Sequence, residues 1–176
     1  FDEKSIIPTK DDQKSIIKKI DSYLIDSKKQ KIFTALNHSP MGYSVAAAIG
    51  ASLGSPKNNI IAIIGDGAMQ MNIQELENIK RLKLPIKIFL INNGGYGMVK
   101  QTIDTWLDSR YVGCDENSGL SLPDFQKVSK SYGIESLEIN NHNDLKEKIT
   151  QTLNYKGPII CDVKLDPNQK IIPKVK

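Results

Sequence analysis

The sequence predicts an α/β fold in which a doubly wound, mainly parallel sheet carries helices on both faces. The continuous apolar run Ile60–Ile64 is typical of a strand buried on both faces of such a sheet, and Ile86–Ile91 forms the next predicted strand. Between them, an apolar residue recurs every three positions, which predicts a helix through Ile73, Leu76, Ile79 and Leu82. Pro85 ends that helix, and the resulting strand–helix–strand unit predicts that the two strands run parallel.

The flanking regions continue the alternation of helices and strands. Thr9–Asp12 has the spacing of a capping box and opens a helix with an apolar face formed by Ile16, Ile17, Ile20 and Leu24. After a turn at Asn37–Pro40, the small residues between Gly42 and Gly54 predict a helix that packs closely against a neighbouring backbone. The remaining elements are a helix through Phe125, Val128 and Tyr132, a strand at Ser136–Ile139, a helix through Leu145, Ile149 and Leu153, and a strand at Pro158–Val163.

Length and composition exclude several classes of protein. The 176 residues suit a single domain covering positions 1–176, and a start at Phe1 rather than Met suggests part of a longer chain. The net charge of +4 is scattered along the chain, so we expect no nucleic-acid partner. No apolar run is long enough to span a membrane and no secretory signal is evident, so we expect a cytoplasmic protein. Cys114 and Cys161 lack the spacing of a zinc site or a disulfide framework.

Polar, glycine-rich turns follow the two central strands, where ligands bind in parallel sheets. The first turn contains Asp66 and the second contains Asn93, 27 positions later. A carboxylate and an amide oxygen on neighbouring strand ends suit Mg²⁺, which normally completes its shell with phosphate and water. Gly67 and Ala68 would lead into the helix containing Ile73, whose free N–H groups favour a phosphate. The alternative is that both are ordinary turns, because such compositions are common in loops.

These two turns resemble the signature of thiamine diphosphate-dependent enzymes. Gly-Asp-Gly-Ala-Met-Gln-Met-Asn-Ile-Gln-Glu-Leu (65–76) and Asn-Asn-Gly-Gly-Tyr-Gly-Met-Val-Lys-Gln (92–101) are similar to the C-terminal cofactor domain of acetolactate synthase-like enzymes. The resemblance extends from about Phe33 to Val163. It implies the thiamine diphosphate-binding fold and the cofactors thiamine diphosphate and Mg²⁺, and it leaves open whether a longer protein also binds FAD.

The resemblance also assigns roles to individual residues. It implies that Asp66, Asn93 and the carbonyl of Gly95 bind the metal. It places the diphosphate against Gly67 and Ala68, beside Gly65. The remaining cofactor contacts that it implies come from Ser39, whose carbonyl accepts the exocyclic amine, from Met41, which forces the bent cofactor conformation, and from the loop residues Tyr96, Gly97 and Met98.

The implied reaction is decarboxylation of a small-molecule 2-oxo acid such as pyruvate, with transfer of the acyl carbanion to a carbonyl acceptor. The family uses an activating Glu from a separate domain, so we expect no catalytic residue in this chain, which alone would be inactive. The family works as a homodimer or tetramer. Two departures are visible: the segment between about residues 25 and 32 is shortened, and Thr102 replaces a Trp of acetolactate synthases. The alternatives are a simple decarboxylase, an aldehyde-lyase, or a non-catalytic domain that binds the cofactor or a partner.

Overall fold

The computed structural model describes residues 31, 32, 34, 35 and 38–170. The helix predicted around Ile16–Leu24 and most of the shortened segment lie outside these residues. In chain order, the described elements are helix α1 (Tyr43–Gly54), strand β1 (Ile61–Gly65), helices α2 (Asp66–Met71) and α3 (Glu75–Arg81), strand β2 (Lys87–Asn92), helix α4 (Gly97–Trp106), a 3₁₀ turn (Glu116–Ser118), helix α5 (Phe125–Ser131), strand β3 (Glu135–Ile139), helix α6 (Leu145–Asn154) and strand β4 (Ile159–Lys164).

The four described strands form one parallel sheet in the order β1-β2-β4-β3. Ile64 of β1 lies opposite Leu90 of β2, which in turn lies opposite Asp162 of β4. Because all four strands point the same way, their carboxyl ends meet at one edge. The predicted α/β class with a parallel sheet is therefore confirmed.

Helices cover both faces of the sheet, as predicted. One face packs into the main core against α1, α3 and α5, and the buried residues there include Val45, Leu76, Ile79, Leu90 and Phe125. On the opposite face, α6 contacts β3 and β4, and the buried Thr152 of α6 lies beside the buried Cys161 of β4. Ile61 and Ile63 of β1 also lie on this second face, and within the described residues they are 37% and 58% exposed.

Two helix predictions need correction. The helix predicted through Ile73 begins only at Glu75, as α3, because residues 72–74 form turns, and the short helix α2 before those turns was not predicted. Leu82, the last residue named in that predicted helix, caps α3 and is 39% exposed, whereas Leu84 is buried. Helix α4 was not predicted, although Val99, Ile103 and Trp106 recur at helical spacing; of these three, the structure buries Ile103.

Candidate functional site

Asp66 is the centre of the candidate site at the carboxyl edge of the sheet. It follows β1 directly, is the first residue of α2, and is only 1% exposed. Its Oδ1 accepts a hydrogen bond from the backbone N–H of Gly67 at 2.7 Å. Its Oδ2 accepts from the N–H groups of Gly94 and Gly95 at 2.7 Å and 3.1 Å. One carboxylate therefore joins the turn after β1 to the loop after β2, as the sequence predicts.

The electrostatics of Asp66 favour a cation nearby. Burial raises the pKa of this carboxyl, and the backbone N–H groups that it accepts from lower the pKa only in part. Among the described residues, no basic side chain forms an ion pair with it. A buried carboxylate compensated by N–H dipoles alone gains stability when a cation approaches.

The residues around Asp66 offer hard oxygen ligands. Asn93 is half-buried beside Asp66. Gly95, whose N–H donates to the Asp66 carboxylate, is buried. A carboxylate, an amide oxygen and a backbone carbonyl form a donor set that fits Mg²⁺. Within the described part of the chain, no three His, Cys, Asp or Glu side chains come together as a metal cluster.

Close backbone packing explains two of the glycines. A Cβ added at Gly67 would overlap the ring of Tyr96, and a Cβ at Gly95 would overlap the carbonyl oxygen of Cys114. The Tyr96 N–H donates to that same carbonyl at 2.8 Å, which holds the loop after β2 against the segment around Cys114. Gly67 and Gly95 thus permit two chain segments to approach Asp66 more closely than any side chain would allow.

The start of α2 differs from the predicted arrangement. Gly67 and Ala68 lie inside the first turn of α2 instead of leading into a helix that contains Ile73. Gly67 is buried, and Ala68 is half-buried against the core. Gly65, the last residue of β1, is half-buried beside the carbonyl of Ile91.

The segment predicted to hold the aminopyrimidine lies beside the far end of α2. Ser39 has a φ of +33°, which is unusual for a residue with a side chain, and Met41 is 43% exposed. Gly42 is buried, and its carbonyl accepts a hydrogen bond from Asn72 Nδ2 at 3.1 Å. The hydrogen bond between Asn72 and Gly42 therefore connects this segment to the Asp66 turn through α2.

The other loop candidates divide into two groups. Tyr96 and Gly97 lie at the site: the Tyr96 ring covers Gly67, and Gly97 packs under the amide of Asn93. Met98, in contrast, is 71% exposed on α4.

The structure adds three polar contacts that the sequence reasoning missed. Asn72 bonds Gly42, and Asn92 Nδ2 donates to the buried Oδ1 of Asp162 at 2.9 Å. Lys100 forms an ion pair with Asp115 at 2.7 Å, which helps to hold the segment after α4 against the loop after β2. Of these three contacts, the sequence could have indicated only that of Asp162, because an acidic residue inside the apolar run at 159–163 needs a buried polar partner.

Comparisons with known proteins identify the family. The family model described as "Thiamine pyrophosphate enzyme, C-terminal TPP binding domain" matches residues 19–163; thiamine pyrophosphate (TPP) is another name for thiamine diphosphate. Among the described residues, no helix has the length and apolar character to cross a membrane.

Acetolactate synthase large subunits are among the similar curated proteins. Those of Pyropia yezoensis and Cyanidium caldarium are 38% and 39% identical over 135 residues, which is 77% of this chain. That of Buchnera aphidicola subsp. Acyrthosiphon pisum is 39% identical over 137 residues, or 76% of the chain. The aligned part spans only 22–23% of these relatives. The chain therefore belongs to the thiamine pyrophosphate enzymes, as a C-terminal cofactor-binding domain of the acetolactate synthase-like type.

Proposed function

We propose that this domain holds thiamine diphosphate through a Mg²⁺ ion bound by Asp66, Asn93 and the carbonyl of Gly95. The observation that carries the proposal is the Asp66 carboxylate, which is buried and accepts N–H groups from both loops. A cation at this point would relieve the cost of burying that charge. Mg²⁺ held by few protein ligands leaves coordination positions for phosphate oxygens.

The chain's own residues suit the binding of a diphosphate beside that ion. Gly67 and Ala68 directly follow Asp66, and the Tyr96 ring over Gly67 shields this turn from solvent on one side. Ser39 and Met41 lie beyond the other end of α2, where we assign them to the aminopyrimidine. In this assignment Met41 is an apolar, polarizable surface against a flat ring.

We further propose that the complete enzyme decarboxylates a 2-oxo acid and joins its acyl unit to a carbonyl acceptor. When bound, thiamine diphosphate supplies the nucleophilic carbon that this chemistry requires. The contribution of this chain is to hold and orient the cofactor. From the family resemblance we expect an activating Glu on another domain and a homo-oligomeric enzyme, so that this chain alone releases no CO₂.

Calorimetry tests the binding proposal. Thiamine diphosphate titrated into the 176-residue chain is expected to bind in the presence of Mg²⁺ and to bind much more weakly in EDTA. Asp66→Ala and Asn93→Ala should each remove the metal dependence, whereas Glu77→Ala, on the exposed side of α3, should not. Far-UV circular dichroism verifies that each variant is folded. Unchanged metal-dependent binding in folded Asp66→Ala would remove Asp66 from the site.

A second assay tests the proposed reaction in the longer gene product. CO₂ release from pyruvate and other 2-oxo acids is expected, and analysis of the products formed with a carbonyl acceptor separates a carboligase from a simple decarboxylase. Binding of the cofactor without any release of CO₂ would favour a non-catalytic domain.

A further inference from the structure

One side chain links the two segments to which we assign the two ends of the cofactor. Asn72 immediately follows α2, the helix that begins with the Asp66–Gly67–Ala68 turn. Its Nδ2 donates to the carbonyl of Gly42, thirty residues earlier in the chain and next to Met41. This side-chain hydrogen bond therefore joins the two segments.

The contact is closely packed as well as hydrogen-bonded. Gly42 has a φ of +86°, and a Cβ added there would lie 2.7 Å from Asn72 Nδ2 and 3.2 Å from the Cβ of Met71. Gly42 is thus the residue type that both the backbone angle and the available space require. The segment 39–42 therefore lies at a fixed distance from the end of α2.

The backbone of Asn72 is itself hydrogen-bonded on both sides. The Asn72 N–H donates to the carbonyl of Met69 at 3.2 Å, and its own carbonyl accepts from the N–H of Glu75 at 3.0 Å. These bonds hold the Asn72 backbone at the break between α2 and α3, from which its side chain reaches Gly42.

We infer that Asn72 is a positioning residue that sets the spacing between the aminopyrimidine segment, Ser39–Met41, and the diphosphate turn, Gly67–Ala68. The inference rests on the proposed function, because it concerns one ligand that spans both segments. A ligand with two ends gains affinity when its two subsites are already held at the correct separation. Asn72 acts through Gly42 and is not assigned a contact with the ligand.

This role predicts that substitution of Asn72 affects the affinities of two ligands differently, although both ligands contain a diphosphate group. Inorganic pyrophosphate with Mg²⁺ would use the diphosphate turn alone, whereas thiamine diphosphate with Mg²⁺ would use both segments. Asn72→Ala is therefore expected to weaken thiamine diphosphate binding about tenfold, as the loss of a part-buried hydrogen bond can do. The affinity for Mg²⁺–pyrophosphate should stay within about twofold, because the turn keeps its own backbone bonds.

The experiment is calorimetry of both ligands with the 176-residue chain and three variants. Asn72→Asp, which places a carboxylate oxygen against the Gly42 carbonyl, should widen the gap between the two affinities beyond that of Asn72→Ala. Asn78→Ala is the matched control, since Asn78 Nδ2 bonds Glu75 Oε2 within one helix and links no segments. It should leave both affinities unchanged.

The ratio of the two affinities is the decisive readout. Partial unfolding of a variant reduces the binding-competent fraction and weakens both ligands equally, so the ratio reports the spacing alone. An unchanged ratio in Asn72→Ala and Asn72→Asp would overturn the inference while leaving the proposed function intact. Wild-type protein that binds neither ligand with Mg²⁺ would overturn the proposed function, and the inference with it.

Discussion

The packing of Tyr96 on Gly67 predicts that Gly67→Ala destabilises the wild-type protein but stabilises a variant that lacks the Tyr96 ring. Gly67 is the second residue of α2, and its φ is not in the left-handed region. Alanine is therefore compatible with the backbone there. The difficulty is space, since the added Cβ would overlap the Tyr96 ring.

The two contributions have opposite signs and different sizes. Overpacking of a close contact costs about 1–3 kcal/mol. Replacing a helical glycine by alanine returns up to about 1 kcal/mol through backbone entropy. The Tyr96 backbone is bonded at both ends, to Cys114 through its N–H and to Lys100 through its carbonyl, so the ring has to yield by side-chain rotation. Gly67→Ala is thus expected to destabilise the protein by about 1–2 kcal/mol.

Urea unfolding of four proteins measures this expectation. They are wild type, Gly67→Ala, Tyr96→Ala and the double variant. In the Tyr96→Ala background the overlap is gone, so Gly67→Ala should stabilise the protein by about 0.4–1 kcal/mol. Equal destabilisation by Gly67→Ala in both backgrounds would show that the ring is not the cause and would refute this account of the turn.

Two further predictions concern the ion pair between Lys100 and Asp115 and the thiols of the two cysteines. Lys100 lowers the pKa of Asp115, so this pair stabilises the protein above about pH 4 and the contribution is lost as acid protonates Asp115. In urea unfolding at pH 7 and pH 3, Asp115→Asn should therefore lose less stability on acidification than wild type; an equal loss in both proteins would contradict the prediction. Cys114 and Cys161 are fully buried, and burial raises the pKa of the Cys161 thiol, so a thiol reagent should label neither in the native protein and both in denaturant. Rapid native labelling of Cys161 would show that β4 is more accessible than its packing indicates.

The sheet was predictable because short runs rich in Ile, Leu and Val alternate with helical patterns. Of the four described strands, β1 alone is apolar without interruption, and Lys87, Glu138 and Asp162 lie within the runs that form β2, β3 and β4; every predicted strand boundary nevertheless agrees with the structure to within one residue. Helix α4 was missed although Val99, Ile103 and Trp106 recur at helical spacing, because the residues after the second turn were assigned to a loop. Of these three residues the structure buries Ile103, while Val99 and Trp106 are exposed within the described part of the chain.

The meeting of the two loops at the candidate site was also predictable, but its internal bonding was not. The position of Asp66 and Asn93 after consecutive parallel strands is enough to bring them to one edge of the sheet. That Asp66 accepts N–H groups from Gly94 and Gly95 depends on the path of the loop, which a spacing of 27 residues does not determine. The roles of these residues in holding a metal and a cofactor stay predictions.

A last prediction concerns the ion pair between Asp162 and Lys164 near the site. It compares the loss of stability when either residue of the pair is replaced. Asp162 is completely buried and accepts from Lys164 Nζ at 2.7 Å, while the Lys164 side chain is 40% exposed. Asp162→Asn leaves a lysine that can turn to solvent or to Glu138, 3.7 Å away, and should cost about 1 kcal/mol. Lys164→Met leaves a buried carboxylate that still accepts from Asn92 but has lost its cation, and should cost about 3 kcal/mol. Urea unfolding at neutral pH measures both; a larger loss from Asp162→Asn would mean that the lysine, and not the buried aspartate, depends on the pair.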